Sequence, residues 1–157
     1  MKKIKMIIKN TSDRMAHLPL YWFVPFILLL SYLIVLPCAF IDDGSIQEKH
    51  SLIYDFVVAC IIAPIVETYI FQVLVINLFT NYWIKNKNIA ILISALLFGF
   101  SHLYSWYYIF WTFFVGLVFA WAYVIYKEKQ GYKKAVFAII LIHALRNLVS
   151  LVINHLL

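Results

Sequence analysis

The amino-acid sequence predicts an all-α, polytopic transmembrane helix bundle of about five to six membrane helices, and three observations predict it. Hydrophobic residues make up 65% of the 157 residues and charged residues only 13%, about half the charged share with which a soluble domain solvates its surface. The apolar runs are long and continuous, without the alternation of barrel strands, and only helices or closed barrels cross a bilayer. The basic residues gather between those runs rather than within them.

The elements follow in order. The first 17 residues are polar and basic, with Lys2, Lys3, Lys5, Lys9 and Arg14. Leu18 to Phe40 then forms an apolar run of about 23 residues, where a tilted span needs about 20 and a cleaved signal would offer only about 7–15. Pro25 is expected to kink this helix and Pro37 to end it. Ile41 to His50 is a polar loop carrying Asp42, Asp43, Gly44 and Glu48. The stretch from Ser51 to Thr80 exceeds one straight span and is expected to break or kink near Pro64. A polar loop from Asn81 to Asn88 leads to a third span, Ile89 to about Tyr104. A tight turn near Ser105 opens a fourth span, Trp106 to Tyr126, and a basic loop from Lys127 to Lys134 precedes the last, Ala135 to Leu157. Cys38 and Cys60 lie in apolar runs and read as small buried hydrophobes, not as a disulfide.

The net charge of +6 reflects topology rather than nucleic-acid binding. With the N-terminus inside, Lys2, Lys3, Lys5, Lys9, Arg14, Lys85, Lys87, Lys127, Lys129, Lys133 and Lys134 all fall on the inner side. Of the 13 basic residues, Lys49 alone lies outside and Arg146 lies within a span. This bias predicts a cytoplasmic N-terminus. An integral protein of a bacterial plasma membrane is expected, with the lipid bilayer as its surroundings.

Five ionisable residues stand in apolar stretches, where such groups are costly, roughly 2.5–3.5 kcal/mol for Asp, Lys or Arg at the bilayer centre: Asp55, Glu67, His102, His143 and Arg146. Asp55 is near enough to a helix start to reach the interface. Arg146 reads as structural, paired with a carboxylate or reaching the outer interface. At 1.5 Å per residue, Glu67, His102 and Asn147 each lie about 20 Å from the inner edge, and His143 about 14 Å. Residues from three helices thus reach one zone. His143 and Asn147 stand at i and i+4 on one face, as do Phe98 and His102, and Gly99 permits a close helix approach. Thr68 and Gln72 form another i, i+4 pair. Taken singly, each His or the Asn is as well explained as an interhelical hydrogen bond, and Glu67 as a buried protonated carboxyl. Together they predict a shared polar site.

The segments APIVETYIFQ (Ala63 to Gln72), LLFGFSHL (Leu96 to Leu103) and HALRN (His143 to Asn147) resemble, in order, the three motifs of the CPBP family. This family comprises CAAX-protease-like and bacteriocin-processing (Abi) intramembrane proteases, with motifs Glu-Glu-x-x-x-Arg, Phe-x-x-x-His and His-x-x-x-Asn or Asp. The resemblance covers about Ser51 to Leu157. It divides the chain into residues 1–50, holding the N-terminal segment, first membrane helix and external loop, and residues 51–157, a CPBP-like catalytic helix bundle. Thr68 stands where the family has its second Glu, and Gln72 where it has Arg. Both replacements are neutral and able to hydrogen-bond, which leaves no unpaired charge in lipid.

The resemblance implies an intramembrane endopeptidase acting on membrane-associated or lipidated protein substrates. Glu67 and His102 would polarise a water, while His143 and Asn147 would orient the substrate carbonyl or donate to the oxyanion. Thr68, Gln72 and Phe98 would support them. Zinc held by two His and a Glu is the other option, but no His-Glu-x-x-His motif is present and the metal-free mechanism is favoured. Two readings compete: a catalytically weak or inactive bacteriocin-immunity or binding protein of the same fold, and a small proton-relay or transport component. The absence of an inverted repeat weakens the latter.

Overall fold

The structure, a computed structural model, describes residues 10–38 and 51–156. The expected external loop 41–50, the last residues of the first predicted span and Lys2, Lys3, Lys5 and Lys9 lie outside the described residues. A short helix α1 (residues 10–16) leads into α2 (Leu20–Leu33), α3 (Leu52–Trp83), α4 (Lys87–Phe100), α5 (Trp106–Gln130) and α6 (Tyr132–Leu156). The described residues contain no strand. Three helices are long and apolar enough to cross a membrane, Leu52–Trp83, Trp106–Gln130 and Tyr132–Asn154, while α2 and α4 are shorter apolar helices. The chain is an all-α membrane helix bundle.

The largest departure from expectation concerns α3, which does not break at Pro64. It runs unbroken for 32 residues because Phe56–Ile62, Thr68–Val75 and Phe79–Trp83 adopt wide i→i+5 turns. Ala63 N–H, for example, reaches back to the Val58 carbonyl. The wide turns have a packing consequence. Cys60, Pro64, Thr68, Gln72 and Ile76 recur every fourth residue and are all buried. An α-helix would carry a four-residue repeat about 40° around its axis at each step; the wider turns hold the line against the bundle. Pro64, which lacks an N–H, is absorbed where the hydrogen-bond register is already shifted. The helix ends where Ile84 and Lys85 N–H both reach the Phe79 carbonyl, with Lys85 at φ 55°.

Other boundaries also move. The first predicted span extended to Phe40, yet α2 ends at Leu33 and continues only as a 3-10 turn at Leu36–Cys38 around Pro37. The predicted third span reached Tyr104, but α4 stops at Phe100, where His102 N–H turns back to the Gly99 carbonyl. The expected turn near Ser105 is present, and Ser105 also caps α5, its Oγ accepting from Tyr108 N–H at 3.0 Å, a cap of about 1 kcal/mol. The predicted basic loop Lys127 to Lys134 contracts to Gly131. Its φ of 87° makes the reversal that a side chain would resist.

Close helix approach builds the bundle. In lipid, tails are as apolar as leucine, so association depends on packing and interhelical hydrogen bonds. The buried face of α4 is Ala90, Ser94, Ala95, Phe98 and Gly99. A Cβ on Gly99 would lie 2.9 Å from the Ile109 carbonyl oxygen of α5, and one on Gly116 would lie 2.9 Å from Phe98 Cδ1. Ser94 donates to the Phe71 carbonyl of α3 at 2.9 Å. Phe23 of α2 stacks on Tyr126 of α5 at 3.9 Å. Outward-facing Tyr21, Trp22, Leu29, Leu74 and Phe137 are exposed, as lipid-facing side chains are.

The ends of the bundle differ in charge. An ion pair joins Lys87 at the start of α4 to Glu128 at the end of α5, and a second joins Lys129 to Asp13 of α1. Lys127 donates to Asn77 Oδ1 near the end of α3. The described basic segments therefore share one end. The opposite end holds the α4–α5 turn, the start of α3 and the end of α6, where Asn147 meets Ala59.

Candidate active site

Three elements bring the predicted residues together. Glu67 lies midway along α3, beside its buried line, with its side chain 23% exposed. His102 comes from the turn that closes α4, not from the helix itself. Its Nε2 lies 3.8 Å from Glu67 Oε2. His143, near the middle of α6 and only 5% exposed, brings its Nε2 to 3.7 Å from the same oxygen. One carboxylate oxygen thus faces two imidazoles, and it has no hydrogen-bond partner of its own.

The local structure fixes each ring. His102 Nδ1 is 2.7 Å from the Phe98 carbonyl and 3.1 Å from Ser101 Oγ. A carbonyl accepts only, so Nδ1 carries the proton and Nε2 presents its lone pair toward Glu67. Stopping α4 early allows this, because the carbonyl of Phe98 belongs to the last turn and has no continuing helix to serve. Phe98 is buried and its ring lies 4.8 Å from His102, 5.8 Å from His143 and 5.5 Å from Phe71. Phe119 packs at 5.1 Å on the other side of His143. The aromatic walls hold both imidazoles without competing hydrogen bonds.

Asn147 shares the face of His143, as its spacing predicts, and its Nδ2 donates to the Ala59 carbonyl of α3 at 2.8 Å. The Thr68–Gln72 pair, read as able to hydrogen-bond, is fully buried, and Thr68 Oγ1 and both polar atoms of Gln72 have no partner among the described residues. The i→i+5 turns over Thr68–Val75 alter the i, i+4 geometry that would bring the two side chains together. Cys60 is buried with a free thiol.

Sequence reasoning missed three neighbours. Tyr108 of α5 places its ring 5.9 Å from His102. Ser101, overlooked beside the histidine, touches its ring nitrogen. Gly116 accommodates Phe98, a role that the small residue on an otherwise bulky α5 could have signalled. Arg146 was expected to pair with a carboxylate or reach the interface; it is 7% exposed and has no ion pair among the described residues.

Chemically, the arrangement offers a carboxylate, an imidazole lone pair fixed by a backbone carbonyl, a second imidazole and an amide. Zinc was the alternative for this donor set. Among the described residues no group of three or more His, Cys, Asp or Glu side chains is arranged to hold a metal ion.

A family model described as type II CAAX prenyl endopeptidase Rce1-like matches residues 49–149. That stretch is more than half of the chain and includes Glu67, His102, His143 and Asn147. No match is found among curated proteins or among solved structures. With the family match over this helix bundle, the chain belongs to the Rce1-like family of type II CAAX prenyl endopeptidases.

Proposed function

We propose that the chain is an integral-membrane endopeptidase that hydrolyses peptide bonds in membrane-associated or lipidated protein substrates, using water activated by Glu67 and His102 without a metal. The observation that carries this reading is the approach of two imidazole Nε2 atoms to one oxygen of Glu67, at 3.8 and 3.7 Å. These separations exceed a direct hydrogen bond and suit a substrate water in contact with both groups at about 2.8 Å.

The Glu67 carboxylate, aided by the His102 Nε2 lone pair, takes a proton as the water oxygen bonds to the scissile carbonyl carbon. Negative charge then develops on the carbonyl oxygen. His143 as its Nε2–H tautomer, and the second Nδ2 hydrogen of Asn147, donate to that oxyanion. Collapse breaks the C–N bond, and the proton gained from water passes to the leaving amine. Water and peptide in, carboxylic acid and amine out, the step balances without an oxidant or reductant.

The same reading puts the N-terminus and the basic end of the bundle in the cytoplasm of a bacterial plasma membrane. Substrate and bilayer are then the only partners the mechanism needs. The test is cleavage of prenylated CAAX-type peptides by the purified protein in liposomes. Glu67→Gln should abolish cleavage while the protein melts at an unchanged temperature. Full cleavage by that variant would overturn the assignment, and a block of proton flux instead would favour a relay.

A further inference from the structure

Among the described residues Arg146 is a buried cation without a counter-ion. It lies one turn beyond His143 on α6, and its Nε and Nη2 have no hydrogen-bond partner. Glu128 and Asp13 pair with Lys87 and Lys129, and Glu67 faces the imidazoles. Its guanidinium lies over the Tyr32 ring of α2, 4.8 Å from the centroid, while the Tyr32 hydroxyl donates to the Arg146 carbonyl at 2.9 Å. Stacking occupies a face of the guanidinium plane and leaves its in-plane Nε and Nη2 donors unused.

Its position is next to the site rather than at the lipid surface. Arg146 is 7% exposed and stands three residues beyond His143 on α6, about 4.5 Å further along the helix axis. Tyr108 lies against His102, the two rings 5.9 Å apart. Tyr32 fixes the arginine from behind. An intramembrane arginine is costly to hold in this state, and the planar fork it presents is matched to a carboxylate, which it engages bidentately.

We infer that Arg146 is the receptor for a carboxylate of the substrate, either chain-terminal or from an acidic side chain, a short length of peptide away from the scissile bond. This rests on the endopeptidase reading. The carboxylate supplies the missing counter-ion, so an acidic peptide is drawn into the bundle with its carbonyl directed toward His143. A neutral peptide leaves the guanidinium unpaired and binds less well.

Binding is measured on the purified Glu67→Gln protein in detergent, which separates recognition from turnover. The probes are prenylated peptides ending in Cys-Ala-Ala-Leu as the free acid, the same peptide as its C-terminal amide, and an amide with Glu as the last residue. The free acid should bind about tenfold or more tightly than the simple amide. Recovery of affinity by the Glu-bearing amide assigns the site to any nearby carboxylate; no recovery assigns it to the chain terminus. Adding Arg146→Gln should erase the preference without changing the amide's affinity, and Arg146→Lys should retain part of it. A merely structural arginine would weaken all three peptides alike. Equal binding of acid and amide, survival of the preference in Arg146→Gln, or no binding of any peptide overturns the proposal. If Arg146→Gln fails to fold, the acid-to-amide comparison and Arg146→Lys still decide. Cleavage of the same peptides by the unsubstituted protein reports separately on the hydrolytic reading.

Discussion

Asn147 donates from Nδ2 to the carbonyl of Ala59 at 2.8 Å, the carbonyl whose i→i+5 partner on α3 would be residue 64, a proline with no N–H to give. Just before it the register is already i→i+5, since Ala63 reaches Val58. The amide of α6 thus replaces the hydrogen bond that Pro64 removes, one turn before Glu67. One hydrogen of the amide ties the two helices, and the other is the one that the proposed mechanism directs to the oxyanion.

The relationship predicts an energetic coupling between Pro64 and Asn147. Asn147→Ala should destabilise the protein by about 1–3 kcal/mol, the cost of leaving a buried acceptor unpaired. In a Pro64→Ala background a backbone N–H becomes available and the same substitution should cost less. A double-mutant cycle by reversible unfolding in detergent is expected to give a coupling of about 1 kcal/mol. Additive effects would show that Ala59 does not depend on Asn147.

The two histidines should fail differently. His102→Ala removes the lone pair that faces Glu67, and a general-base contribution of about 10²–10⁴ in kcat should be lost. His143→Ala removes a donor to the developing oxyanion, expected to cost about 10²–10³. It also opens a gap between Phe98 and Phe119, so it should lower the melting temperature, which His102→Ala should change less. Kinetics and thermal unfolding of both variants check this.

Why these residues were legible in sequence, while others were not, is a matter of what lipid forbids. Glu67, His102 and His143 stand out because an ionisable group in an apolar run must have a reason, and their similar depth along three helices foretold their meeting. The spans themselves were legible from length and apolarity, except where boundaries depend on tertiary structure. His102 was placed on a helix because Phe98, Gly99 and His102 keep helical spacing, but the carbonyl of Phe98 is used by the imidazole instead. Pro64 predicts a break by its own chemistry, yet the four-residue line from Cys60 to Ile76 selects wide turns that absorb it. Nothing local reveals that Arg146 ends up without a carboxylate, because that is a property of everything around it.

Activity should survive exhaustive chelation. The proposed chemistry assigns proton transfer to Glu67 and His102 and routes no step through a metal. Cleavage measured after prolonged incubation with a zinc-specific chelator should be unchanged. Loss of activity that added zinc restores would replace this mechanism with a metal-dependent one.

Orientation can be read with single cysteines in a background lacking Cys38 and Cys60. Tyr104 is exposed in the α4–α5 turn, at the end opposite the ion pairs of Lys87 and Lys129. Tyr104→Cys should react with a membrane-impermeant maleimide on intact cells, whereas Lys133→Cys should react only after permeabilisation. The reverse pattern would place the basic end outside and the α4–α5 turn toward the cytoplasm.

The two helix-contact glycines should separate stability from activity. A Cβ at Gly99 would meet backbone, the Ile109 carbonyl oxygen at 2.9 Å, along with Phe113 Cβ at 3.0 Å. Neither atom can move without pushing α4 and α5 apart, so Gly99→Ala should cost about 1–3 kcal/mol, the range for overpacking. A Cβ at Gly116 would meet Phe98 Cδ1 at 2.9 Å and Ala95 Cα at 3.2 Å. The Phe98 ring is the nearer obstacle and can turn, but it lies against both His102 and His143. Gly116→Ala should therefore lower kcat more than its modest loss of stability explains, while Gly99→Ala should show the opposite balance. Melting temperatures and kcat measured side by side decide it, and equal losses in both variants would mean that Phe98 does not position the imidazoles.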